Sequence, residues 1–465
     1  MHLSVSLLAA AAAAVAPVLG SPAVAPLGGG PAFQEYHDEV IERDVVILGG
    51  GSTGTYAAVH LQDRNHSVVV VERKEKLGGH TETEYYHKGM VDMGVTLHFN
   101  DTVTKNFYER LGVAYEKYVE PGRNMYVDFK TGKRLPQPMG MNLSTIVPMY
   151  NKAIANFSYT ADGTFNFPEP IPEELLGTFG QFLDAHPELK PALNLVYMFA
   201  QGVGDLLNAP LLYVLQNVGL VHVDAILKGL IMPKAGMYEI FDHAARAIGQ
   251  ENILLGSEAV SVERGTGTDG VRVIVQDGAG RRTVIRAQKL LVTIPPLMSN
   301  MQTFDLDESE AALFSKWEWK NYYVSVIANS GLPNATSVVN FDPSEPSGLP
   351  VPPFHWAAQY LGTPGYVGSK VIAPMDFTEE EAREMMLADI RRMNGTNPEI
   401  VAWGNHSPMS MGVPVDDIRD GFYKKLYALQ GQRNTFYSGL AWCSDYSSVL
   451  WAFTETILDQ MYPKA

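Results

Sequence analysis

Asp44-Val45-Val46-Ile47-Leu48-Gly49-Gly50-Gly51-Ser52-Thr53-Gly54 runs from a wholly apolar stretch into a glycine-rich turn, and apolar residues then recur at helical spacing between Thr55 and Arg64 (Tyr56, Val59, Leu61). A short continuous apolar run suits a strand buried on both faces of a parallel sheet. Val68-Val69-Val70-Val71 is a second such run, so the segment reads as strand, helix, strand. In Gly49-x-Gly51-x-x-Gly54 the first glycine permits a tight turn and the second lets a pyrophosphate approach the backbone. The third lets the helix pack closely on the sheet. The helix start at Ser52 adds N–H donors and the positive end of the dipole. Glu72 stands 23 residues after Gly49, with Arg73 beside it. A carboxylate there accepts both hydroxyls of an adenosine ribose and disfavours a 2′-phosphate.

These residues predict a dinucleotide without saying which. Leu77-Gly78-Gly79-His80-Thr81-Glu82-Thr83 follows within a few residues. Two adjacent glycines let a second backbone segment lie against the nucleotide, which a plain NAD dehydrogenase does not need; taken alone they also fit an ordinary flexible loop. From Val45 to Thr83, and on through Val91-Asp92-Met93-Gly94-Val95, the chain resembles the opening of the flavin amine oxidase superfamily, which also holds phytoene-type desaturases and flavin-dependent double-bond isomerases. Within it, Gly79-His80-Thr81-Glu82-Thr83 is similar to fungal β-cyclopiazonate dehydrogenase-like flavoproteins. The resemblance implies FAD as cofactor. It implies that Glu258-Ala259-Val260 touches adenine through its backbone, that Leu291 to Pro296 returns to the flavin, and that Phe436-Tyr437-Ser438-Gly439 closes over the ribitol. The expected cofactor-binding residues are therefore Gly49, Gly51, Ser52, Gly54, Glu72, Arg73, Gly79, His80, Val260 and Gly439, and no metal site is expected.

The resemblance also implies an α/β fold. A GxGxxG Rossmann-type FAD-binding domain would be built from discontinuous segments (44–120, 236–300 and 426–465), beside an α+β substrate domain with a mixed sheet and a helical cap (121–235 and 301–425). At 465 residues the chain is long enough for two cores. Its net charge is −16 and no basic run appears, so a nucleic acid or anionic-lipid partner is not expected. Residues 1–25 are apolar and alanine-rich with small-residue exits at Gly20-Ser21 and Ala23-Val24-Ala25, which suits a secretory signal; an uncleaved anchor is the alternative. Residues 26–43 are expected to be a flexible leader, and no later segment is expected to reach spanning length. Seven N-x-S/T sequons (Asn65, Asn100, Asn142, Asn156, Asn334, Asn394 and Asn405) agree with a secreted or vesicular glycoprotein with no membrane attachment in its mature form. Cys443 is the only cysteine, so no intrachain disulfide forms.

Within the superfamily the departures bear on chemistry. His80 stands where amine oxidases usually place Arg, and Leu440 where they place Glu. The strand after the Pro-Pro turn, by register, offers Tyr323 in place of a lysine that holds water near the reactive flavin nitrogen, with Lys320 nearby. A tyrosine supplies no positive charge, so slow reoxidation by O₂ is expected. No catalytic residue stands out. His98 is either close to the isoalloxazine or a core histidine, and Tyr437, Trp442 and Tyr446 are either an aromatic wall or core packing. Cys443 is either a flavin anchor or a small buried hydrophobe. The function these features imply is FAD-dependent oxidation of a C–H bond next to nitrogen, or at an activated allylic position, in a largely apolar small molecule bound under the apolar 190–235 region. A double-bond isomerase or desaturase, or a non-catalytic binding protein on the same scaffold, are the alternatives.

Overall fold

β1 (Glu39–Leu48), α1 (Ser52–Asp63) and β2 (Val68–Val71) form the opening unit, with Val45–Leu48 in parallel register with Val68–Val71. The computed structural model describes residues 39–138 and 142–463. The expected signal peptide, and the leader up to residue 38, lie outside the described residues. The last five residues assigned to the leader are a correction. Glu39–Arg43 extend β1, pairing in parallel with Thr283–Ala287. Val40 and Ile41 are flanked by Glu39, Glu42 and Arg43 and only Ile41 packs on the core, so hydrophobic pattern gave little sign of a strand whose backbone bonds to the long segment Arg282–Val292.

That long segment organises the first sheet. Along its length β1 lies on one side. On the other side its first half pairs antiparallel with Val271–Asp277, and its end pairs in parallel with Thr435–Tyr437. Ile253–Leu254 adds in parallel beyond β2, and Ser257–Arg264 forms the far edge beside Val271–Asp277. The parallel members finish at Leu48, Val71, Leu254, Val292 and Tyr437, so the turns that follow all emerge at one sheet margin. That margin is where open parallel sheets bind ligands.

A second, mixed sheet is drawn from Arg123–Leu135 and from Glu318 to Gly412. The helix Glu379–Arg392 covers one of its faces, started by a capping box in which Thr378 and Glu381 bond each other's backbone. Tyr323, Ile327, Val367 and Val371 point into that layer with Ala382, Met386 and Ile390. Strand alternation sends Tyr322, Val324, Trp356 and Ile372 to the opposite face, into the core shared with the nucleotide sheet. The hairpin β3 (Thr81–Tyr86) and β4 (Gly89–Gly94) lies against the strands Glu318–Ala328 and Tyr366–Ala373 on that face. The apolar 190–235 region is helical at Leu193–Phe199, Leu211–Val218 and Leu220–Lys228. By length and composition Leu211–Lys228 does match a membrane span, contrary to the sequence expectation, but it is two helices meeting at Gly219 and is 56% buried in the protein.

Gly54 shows how tightly α1 sits on the sheet. A Cβ there would lie 1.9 Å from the Gly49 carbonyl oxygen and 2.9 Å from Thr293 Oγ1. Helix propensity alone favours alanine over glycine by about 1 kcal/mol. The steric conflict reverses that sign, and Gly54→Ala is expected to cost about 3 kcal/mol, read as a fall in the denaturation midpoint. Gly278→Ala, where a Cβ meets nothing within 4 Å, should stay within about 0.5 kcal/mol.

Candidate active site

The nucleotide loop is built by backbone meeting backbone. Gly49 has φ +108°, and Thr293 Oγ1 donates to the carbonyls of Leu48 and Gly49, each at 3.0 Å. Gly51 is the N-cap of α1 and provides no side-chain cap, so the first N–H groups of the helix have no protein side chain competing for them. Gly78 N–H donates to the Gly50 carbonyl at 2.8 Å, and a Cβ on Gly79 would sit 2.9 Å from Gly51 Cα. The second glycine pair does bring another backbone segment against the loop. Glu72 is buried, with one carboxylate oxygen accepting from Gly50 N–H at 2.7 Å and the other from Lys74 N–H at 2.8 Å. Arg73 beside it is exposed. Ser52 bonds away from the loop, receiving the Trp451 indole N–H at 3.0 Å and meeting Ser447 at 3.2 Å.

Two distant residues arrive at the same margin. Ser257 N–H donates to the Glu72 carbonyl, which starts the edge strand at the ribose acid. Three residues on, Val260 is 37% exposed and has no cross-strand partner, because the register shifts between Ala259 and Ser261. A bulge of this kind leaves a peptide free to bond a ligand. Gly439, at φ +116°, lies against Thr293, where a Cβ would be 3.2 Å from the Thr293 carbonyl oxygen.

His80 is half-buried at the end of the second glycine pair and stacks on His406, with ring centroids 4.7 Å apart and planes 9° apart. His406 is fully buried, and neither of its ring nitrogens has a hydrogen-bond partner among the described residues. Lys74 Nζ donates to the Glu82 carboxylate at 2.7 Å and to the Gly79 carbonyl at 2.9 Å. Burial opposes ionisation of Glu82, but His406, whose Nε2 lies 3.9 Å away, and the bond from Lys74 outweigh it and hold its carboxyl near 2. Burial, then the mutual repulsion of the two rings and Lys74, keeps His80 well below the ordinary histidine range. His80 therefore enters the site as a neutral ring.

The remaining candidates separate by face and burial. Tyr323 is a correction: its side chain points into the layer under helix Glu379–Arg392, its hydroxyl donating to the Phe377 carbonyl at 2.6 Å and its ring stacking on Trp403. Tyr323 therefore does not face the nucleotide side as the count from the Pro-Pro turn expected, and the expectation of slow reoxidation cannot rest on it. Tyr322 is the residue on the inner face, with Lys320 two positions before it. His98 is buried, bonded to the Tyr108 hydroxyl at 2.9 Å and packed on Trp451, and burial pushes it down to about 3. Tyr437 and Trp442 are core residues stacked on one another. Tyr446 is half-buried and donates to the Phe199 carbonyl.

Three groups were not recognised from sequence. Asp445 lines a small, partly open cavity with Phe165, Tyr213, Met411, Leu440 and the polar Gln216, Asn217, Ser410 and Ser444, and burial pushes its carboxyl up to about 6. It is close enough to Tyr322 and Tyr446 to raise both phenols further, beyond the effect of burial. Lys370 alternates onto the inner face of the second sheet, where burial brings its ammonium down to about 8. His406 is the third. None of the three sits in a cofactor motif or a periodic pattern of sequence, so only the tertiary fold reveals what it faces.

Residues 53–339 match the model of the flavin-containing amine oxidoreductases. Two curated relatives are a β-cyclopiazonate dehydrogenase of Aspergillus oryzae, 38% identical over 91% of this chain and 94% of its own, and an FAD-dependent oxidoreductase of Cochliobolus heterostrophus, 32% identical over 92% of each. The chain belongs to the flavin-containing amine oxidoreductase family. Solved structures show the same fold: a fatty acid isomerase from P. acnes that produces CLA (TM-score 0.74, 21% identity, 90% of this chain and 99% of that one) and a putrescine oxidase bound to putrescine (TM-score 0.64, 16% identity, 91% and 99%). As a family member the chain is an FAD-dependent oxidoreductase. Its own residues fit the cofactor. The Gly51–Gly79 approach would be filled by any side chain, the first turn of α1 is free of side-chain caps, Glu72 waits at the strand end, and His406 carries unpartnered ring nitrogens.

In this flavin-containing amine oxidoreductase Cys443 is buried, and burial raises its thiol well above the usual range. Attachment to a flavin requires the thiolate. Acid precipitation of the yellow protein should therefore leave its flavin in the supernatant, and Cys443→Ser should hold the same flavin content. Colour kept in the pellet and lost with Cys443→Ser would show the opposite.

Proposed function

We propose that this enzyme takes a hydride from a C–H bond next to nitrogen, or at an activated allylic position, of a largely apolar small molecule, in the manner of a dehydrogenase or oxidocyclase of secondary metabolism. The observation that carries the reading is the position of Asp445, the one carboxyl among the apolar and polar residues that line the cavity, within electrostatic reach of the inner-face tyrosine Tyr322. Gly49, Gly51, Gly54, Glu72, Gly79, His80, Val260 and Gly439 would hold the FAD, with Arg73 available to it from the rim. Ser52 would serve indirectly, by fixing the start of α1 to the C-terminal helix Ser447–Met461. When bound, the flavin supplies a two-electron acceptor for hydride.

The chain's own part is positioning, dryness and one proton. Phe165, Tyr213, Met411 and Leu440 offer apolar surface that orients a substrate and excludes water. A carboxylate raised to about 6 is ionised at neutral pH yet basic enough to take a proton from a substrate N–H or activated C–H. Tyr322, kept neutral by burial and by Asp445, can donate a hydrogen bond but not titrate in the working range.

Anaerobic mixing of the oxidised enzyme with alkaloid, polyamine and unsaturated-lipid candidates should bleach the flavin for one class only. For that substrate the reduction rate should rise with pH through about 6, since Asp445 acts when deprotonated. Asp445→Asn should lower the rate by roughly 10²-fold and flatten the profile. A variant within twofold of the parent, with an unchanged pH profile, would remove Asp445 from the chemistry.

A further inference from the structure

The helices Leu211–Val218 and Leu220–Lys228 meet at Gly219, where a Cβ would lie 2.3 Å from the Leu215 carbonyl oxygen. The break frees two backbone groups that a continuous helix would bond internally, the Gln216 carbonyl and the Gly219 N–H. One side-chain relay takes up both. Gly219 N–H donates to His222 Nδ1 at 3.1 Å, so that nitrogen carries no proton and Nε2 does. Nε2–H then donates to Ser444 Oγ at 3.1 Å, and the Ser444 hydroxyl donates to the Gln216 carbonyl at 2.6 Å. His222 is buried, and burial pushes it down to about 3, which keeps it in this neutral form.

The same ring also meets the residue on the other side of Asp445. Its edge lies against Tyr446, with ring centroids 4.6 Å apart and planes at 70°. His222 thus touches both residues that flank the cavity acid. Asp445 is raised by burial and lowered by a bond from its own backbone N–H, so the pose of the backbone at 444–446 carries directly to the carboxyl. The titratable groups around it, Tyr213, Tyr322, Tyr446 and Cys443, are all kept neutral by burial. Asp162, whose carbonyl meets Cys443, is engaged by the N–H and hydroxyl of Thr164. Burial, and not a neighbouring charge, therefore governs Asp445.

We propose that His222 is the positioning residue of Asp445: through Ser444 on one side and Tyr446 on the other, it holds the cavity acid in place for proton transfer. The proposal rests on Asp445 as the base of the reaction.

The test is an infrared titration of the full-length, FAD-loaded protein, following the protonated-carboxyl band that Asp445→Asn removes. In the wild type this band should titrate near 6. His222→Phe keeps a ring against Tyr446 but loses both ring nitrogens. The loosened segment should then admit water, and the midpoint should fall below about 5, toward the ordinary aspartate value of about 4. Ser444→Ala keeps its N–H on the Gly163 carbonyl and should shift the midpoint the same way, even where the histidine variant fails to fold. His222→Gln, whose amide N–H can reach Ser444, should stay with the wild type. An unmoved midpoint in His222→Phe or in Ser444→Ala overturns the proposal, as does a shift in His222→Gln as large as in His222→Phe. An Asp445→Asn variant with unchanged anaerobic flavin reduction would instead defeat the assignment of Asp445 as base, whatever the titrations give.

Discussion

A methyl group on Gly54 would sit 1.9 Å from the Gly49 carbonyl oxygen, and Thr293 Oγ1 closes on that same carbonyl from the sheet side at 3.0 Å. The loop that leads into α1 is thereby tied, at Gly49, to a residue 244 positions away in sequence. Gly439 then packs on the Thr293 backbone, bringing in the last segment of the chain. Three pieces of nucleotide site are held by one threonine between two glycines. Any side chain at Gly54 would push α1 off the sheet, and its free N–H groups would no longer point where the Gly51–Gly79 approach leaves room.

Charge around that node is nearly balanced before any ligand arrives. Lys74 answers Glu82, and burial above all lowers the stacked rings of His80 and His406, helped at His80 by His406 and Lys74 and at His406 by Lys74 and Lys370 against the pull of Glu82. A neutral imidazole pair makes fewer demands on solvation than an arginine would, and it leaves its nitrogens free to bond. The positive end of α1 is then the principal fixed attraction for phosphate at the loop. The design relies on oriented dipoles more than on a permanent cation.

The opening unit was legible because each of its features has a local cause. Four consecutive buried valines or their like mark a strand, and glycines at fixed spacing mark the turn. Glu72 follows at a distance set by one helix and one strand. The bulge at Val260 and the φ of Gly439 needed the resemblance to a family, since neither leaves a mark in composition. Glu39–Arg43 were missed because their pairing is a backbone matter and only Ile41 among them adds an apolar contact to the core. Lys370 was missed because its role depends on which of two sheet faces it occupies, and Asp445 and His406 because they lie in irregular segments whose surroundings only the tertiary fold sets.

Tyr322 and Tyr323 show what that parity decides. The two residues are adjacent, both buried, and alike in chemistry, yet one hydroxyl bonds the backbone beneath a covering helix and the other lies near Asp445. The irregular pairing of the strand with Met409–Gly412, where the register shifts between Glu318 and Lys320, is enough to defeat a count made from the Pro-Pro turn. Downstream of it, alternation is regular through Val326, and pairing carries the same parity onto the neighbouring strand, which is why Val324 and Lys370 share a face. A one-residue shift would turn Lys370 into the layer of Met386 and Ile390, and would expose Tyr323 and Ser325 to the nucleotide side. Which side chains of this strand reach the inner face is therefore tied to the irregularity at its start, and the regular alternation from Asn321 to Val326 keeps that choice.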